Sequence, residues 1–101
     1  MTHVIESHRQ ELADLCRKHR VHRLDVFGSA ARGDFDEASD VDLLVEFDDM
    51  LHADRADAYL GFLTAVEALL RRRIDLVEVG AVRNPYLRRG IEESRELVYA
   101  A

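Results

Sequence analysis

Cysteine occurs once in the 101 residues, proline once and glycine five times. One cysteine rules out an internal disulfide and fits a reducing cytoplasm. A single proline beside an apolar share of 48% argues against a disordered chain. No apolar run approaches the roughly 18 residues needed to span a bilayer, so no membrane association is expected. The amino-terminal stretch MTHVIESHRQ is polar and amphipathic and lacks the apolar segment of a secretory signal. Basic residues are outnumbered, with 14 Lys and Arg against 20 Asp and Glu and a formal net charge of −6. That balance argues against direct binding of a nucleic-acid polymer, though not against a nucleotide carried with a divalent cation. The length suits one domain over residues 1–101 with one core.

What is present alternates between helical and extended patterns. Val4 to His19 has Ile5, His8, Leu12, Leu15, Cys16 and His19 on one stripe, which predicts a helix. His22 to Phe27 reads as a strand ended by Gly28. Val41 to Phe47 reads as a second strand, with Val41, Leu43, Val45 and Phe47 on one face and Asp40, Asp42, Leu44 and Glu46 on the other. Asp54 to Leu70 predicts a long helix, and Ile74 to Val79 a third strand. Asn84-Pro85 is a helix start, a cap followed by a first-turn proline. The last helix is expected to run to about Val98, with Leu87, Ile91, Ser94 and Val98 inward. The fold class this predicts is α/β (α+β), a small mixed β-sheet packed by helices.

The chemistry concentrates in GSAARGDFDEASDVDLLVEF, residues 28–47. Asp40 and Asp42 leave the same face of a strand, about 6–7 Å apart along it. Two carboxylates so placed can hold a pair of divalent cations about 3.5–4 Å apart. Asp34, Asp36 and Glu37 lie close in sequence, and a bound cation would offset their mutual repulsion. Oxygen ligands without a His or Cys set point to magnesium rather than zinc. By itself the pair also reads as a solvated acidic strand start. Gly28 permits a tight turn, and free amides with the Ser29 hydroxyl can hold phosphate oxygens. Gly-Ser followed ten residues later by Asp-x-Asp should arise by chance in about one chain in a thousand of this length.

That stretch resembles the signature of the nucleotidyltransferase superfamily that includes DNA polymerase beta. Gly28, Ser29, Asp40 and Asp42 each match a motif position. Ala31 to Gly33 resembles the variant found in minimal nucleotidyltransferases, small proteins paired with HEPN-domain toxins. The resemblance covers nearly the whole chain and implies a polymerase beta-like core. It also implies a third carboxylate from a later strand, where RRRIDLVEV supplies Asp75. For all three to meet, the first two strands should be antiparallel and the third parallel to the second, with the long helix as crossover.

The function so implied is that of an antitoxin-type, magnesium-dependent nucleotidyltransferase. ATP is the implied donor, and a tyrosine hydroxyl of a HEPN-domain toxin the implied acceptor. Asp40, Asp42 and Asp75 are the candidate catalytic carboxylates and ligands of two Mg2+ ions. Gly28, Ser29 and Arg32 are the candidate nucleotide-binding residues. Arg32 could equally pair with the acidic loop. Arg71, Arg72 and Arg73 end a helix, where the dipole favours cations, and Arg73 could also face phosphate. The five histidines show no metal-ligand spacing, and Cys16 reads as core. Two other functions fit the same residues: an antitoxin that acts by binding alone, and a transferase to a small, aminoglycoside-like molecule.

Overall fold

A computed structural model describes residues 2–32 and 40–101, with Arg32 described by its backbone only. Asp34, Asp36 and Glu37 lie outside the described residues. The element order is α1 (His3–Glu6), α2 (Arg9–Lys18), β1 (Val21–Phe27), α3 (Ser29–Arg32), β2 (Val41–Phe47), α4 (His52–Leu70) and β3 (Ile74–Glu78). A 3-10 turn (Val79–Ala81), α5 (Pro85–Ser94) and β4 (Glu96–Ala100) complete it.

The strands form one sheet in the order β3-β2-β1-β4. β1 is antiparallel to β2 and to β4, and β2 is parallel to β3. The pairings expected of the first three strands are those found. A parallel pair cannot be joined by a hairpin, and α4 provides the crossover.

Alternation along the strands divides the sheet into two faces. Leu24, Val26, Val41, Leu43, Val45, Ile74 and Leu76 pack in the larger core with Leu12 and Cys16 of α2 and Phe62, Val66 and Leu70 of α4. The opposite face has a smaller cluster, in which Phe27, Leu44 and Val77 meet Val82 and Ile91 of α5. The second face is therefore only partly covered, and Asp42 and Asp75 belong to it.

Helix α4 starts two residues before the expected Asp54, and two larger departures lie in the first and last helices. The first helix is divided, because Ser7 and His8 turn their side chains back onto the chain: both the Ser7 hydroxyl and His8 Nδ1 bond the Val4 carbonyl, at 3.4 and 2.9 Å. The last helix stops at Ser94, not near Val98. Arg95 adopts an extended conformation (φ −63°, ψ 137°), and Glu96–Ala100 becomes β4. Leu87, Ile91, Ser94 and Val98 fit helical spacing, yet Leu87, expected inward, is exposed, and Val98 reaches the core just as well from a strand beside β1. The helix start is as read, with Asn84 Oδ1 accepting from the amides of Tyr86 (2.9 Å) and Leu87 (3.4 Å).

Candidate active site

The site is built where β1 ends and β2 begins. Gly28 follows β1 with φ +69°, a left-handed conformation that favours glycine. A Cβ there would also lie 2.5 Å from Asp42 Oδ2, so a side chain would require the carboxylate to shift. Ser29 then opens the single helical turn α3, where Ala30 and Ala31 are buried and the Ala31 amide donates to the Gly28 carbonyl at 3.1 Å. The Gly28 amide donates to Ser94 Oγ at 3.0 Å. Arg32 closes α3, but its side chain lies outside the described residues.

Register brings the carboxylates to this turn. In the antiparallel pair Phe27 stands opposite Asp42, and in the parallel pair Asp42 stands opposite Asp75. Adjacent strands are about 4.8 Å apart, so Asp42 and Asp75 are near neighbours on one face. Asp40 precedes β2 by one residue and shares that face by alternation. Asp42 is half-buried, whereas Asp40 and Asp75 are exposed.

Like charges directly opposite one another destabilise a sheet, and a cation between them removes that cost. The candidate donors are carboxylate oxygens, hard ligands of the kind magnesium prefers. No group of three or more His, Cys, Asp or Glu among the described residues forms a ready metal cage. Magnesium is commonly held by one or two carboxylates with substrate phosphates completing the shell. The donor set fits that mode.

The surroundings are polar and partly basic. The Arg73 carbonyl accepts the Val41 amide at 3.1 Å, which puts the end of the Arg71–Arg73 run beside the start of β2. Arg71 caps α4 in a left-handed conformation (φ 54°). On the other face of β3, Tyr59 of α4 donates its hydroxyl to the Leu76 carbonyl at 2.5 Å. Burial, and then the negative charges of Asp75 and Glu78, raise the pKa of that phenol above its ordinary value. Cys16 is buried in the core and its thiol is pushed up to about 12, chiefly by burial.

Two residues of this region were not foreseen. Asp25 is fully buried, on the same face as Phe27 and Asp42. Its carboxylate accepts from Arg23 Nε at 3.0 Å and from Arg95 Nε. The available signal was a carboxylate inside the apolar run Leu24 to Phe27. Ser94 offered no such signal, since a serine on an amphipathic helix is ordinary.

The chain matches the family model described as nucleotidyltransferase domain over residues 8–98. The protein adenylyltransferase MntA of Thermococcus cleftensis is 36% identical over 101 aligned positions, covering 95% of this chain and 88% of the relative. A solved structure provisionally described as a minimal nucleotidyltransferase is 36% identical, with a TM-score of 0.68 and coverage of 90% of this chain and 89% of that one. The fold is also shared with a chain from the Shewanella oneidensis complex of a tri-AMPylated HEPN toxin with its MNT antitoxin. That likeness has a TM-score of 0.63 at 16% identity and covers 96% of this chain and 73% of the other. With the family signature mapped onto one sheet end, the chain belongs to the nucleotidyltransferase family.

Proposed function

We propose that this chain transfers the adenylyl group of ATP to a tyrosine hydroxyl of a HEPN-domain toxin in the cytoplasm, releasing pyrophosphate. The observation that carries this reading is the register of Phe27, Asp42 and Asp75, which puts a third carboxylate beside the motif pair at the Gly28-Ser29 turn. The names of the relatives support protein adenylylation, and the AMPylated Shewanella toxin supports the acceptor. The formal charge of −6 favours a protein partner over a polynucleotide, and suits a basic one.

In this reading Ser29 and the first turn of α3 hold the triphosphate. Asp40 and Asp42 would hold magnesium on the donor side, and all three carboxylates a second ion on the acceptor side. When bound, the metal neutralises phosphate charge and lowers the pKa of the acceptor hydroxyl. Asp75 accepts the hydroxyl proton. The tyrosine oxygen forms its bond to the α-phosphorus in line with the departing pyrophosphate oxygen, whose bond to phosphorus breaks.

The exposed part of α5, with Tyr86 83% and Leu87 44% accessible, is the proposed docking surface, together with Arg89 and the Arg71–Arg73 run. The decisive experiment combines the protein, magnesium, ATP and the cognate HEPN protein and weighs the products by mass spectrometry. A tyrosine heavier by AMP is expected. Asp75→Asn should lower turnover by about 10²–10⁴-fold while ATP affinity changes little. A stable complex with an unmodified partner would establish the binding-only antitoxin instead, and efficient turnover of a small alcohol would refute the protein acceptor.

A further inference from the structure

The Gly28-Ser29 turn is tied to the far end of the chain. Ser94 Oγ donates to the Gly90 carbonyl at 2.9 Å and accepts the Gly28 amide at 3.0 Å. Its own hydrogen is thus committed within α5, which directs a lone pair at Gly28. The next residue, Arg95, donates Nε to the buried Asp25 carboxylate of β1 and Nη1 to Glu92 at 2.9 Å. Arg23 Nε holds the other Asp25 oxygen at 3.0 Å. Two consecutive residues at the end of α5 therefore grip the last part of β1, one at its carboxylate and one at the turn that follows.

Replacing a buried ion pair by apolar residues often costs little stability, since burying charge is itself costly. What a directional ion pair adds is geometry: it fixes where α5 ends relative to β1. With that end fixed, Ser94 sets the plane of the Phe27–Gly28 peptide, and hence the left-handed turn from which Ser29 departs.

We infer that Ser94, anchored by the Arg95–Asp25 pair, is a positioning residue that orients the Gly28-Ser29 turn for the phosphates of the nucleotide. The inference rests on the proposed role of that turn as the phosphate site. Ser94 touches no reacting atom. Its removal should therefore weaken nucleotide binding and leave the chemical step intact.

The test uses the full chain with Mg-ATP titrated by calorimetry, and steady-state kinetics with the acceptor protein. Ser94→Ala should weaken Mg-ATP binding by about five- to tenfold, the loss of one hydrogen bond, and raise the KM for ATP alike. Turnover at saturating ATP should stay within about twofold of wild type. Ser94→Thr keeps the hydroxyl and should restore the affinity, which a merely structural loss of side-chain contact would not predict. Ser94→Ala binding as tightly as wild type, Ser94→Thr as weak as Ser94→Ala, or a fall in turnover at unchanged KM would each overturn the inference. Wild-type protein that binds no Mg-ATP would overturn it together with the proposed phosphate site, and so is told apart from the variant results.

Discussion

Asp25 shows how one residue can matter without touching substrate. It is 0% exposed in the middle of the sheet and accepts from two arginines. Removing one partner of a buried ion pair leaves the other without compensation. Asp25→Ala should therefore cost about 3 kcal/mol in urea unfolding, whereas Asp25→Leu combined with Arg95→Leu should fall much closer to wild type. Equal losses in the single and double variants would show that the pair is not the unit. At this scale the gathering of the candidate residues at one end of the sheet was readable from the sequence. Gly28, Ser29, Asp40 and Asp42 carry a fixed spacing, and Asp75, expected from the resemblance and the strand order, stands opposite Asp42. The ties of Asp25 to Arg95 and of Ser94 to Gly28 were not readable, because those partners lie 70 and 66 residues apart in sequence.

Among the elements, α4 carries an internal compromise. Gly61 interrupts a helix of 19 residues, where alanine would ordinarily be better by about 1 kcal/mol. A Cβ at Gly61 would lie 3.1 Å from His19 Cε1 and 3.2 Å from Nδ1. His19 is itself seated edge-on against Phe62, with ring centroids 6.0 Å apart, and burial, then the charge of Lys18, lowers its pKa. Gly61→Ala should accordingly gain less than the helical preference or lose stability, while the same change in a His19→Ala background should gain about 1 kcal/mol. Identical effects in both backgrounds, measured by thermal unfolding, would remove His19 as the reason for the glycine. Most elements follow from periodicity: β2 alternates cleanly, and the Asn84-Pro85 start of α5 has its own side-chain signal. The end of α5 was hidden because helix and strand both place Val98 inward. The break between α1 and α2 was hidden because it depends on side chains bonding the Val4 carbonyl, which an apolar stripe does not record.

For the whole molecule, nucleotide and cation should act jointly. Ligand at about one hundred times its dissociation constant stabilises by about 2.7 kcal/mol, which for a chain of this size means about 10–20 °C in Tm. Magnesium with ATP should give a shift of that order, well above the sum of either alone, by scanning calorimetry. Additive shifts would speak against a shared site. The topology has a further consequence, one of timing. Asp75 meets Asp42 only after the α4 crossover is in place, and β1 waits for its second neighbour, β4, at the other end of the sequence. Pairings between distant segments form slowly, and during synthesis they must await the emergence of β3 and β4. A ribosome-held chain can present the glycine turn and the first two aspartates while still lacking the third, along with the Ser94 bond to the turn. The glycine turn and its two nearby aspartates can thus assemble early in folding, while alignment of all three carboxylates comes only when α4 and β3 have joined the sheet.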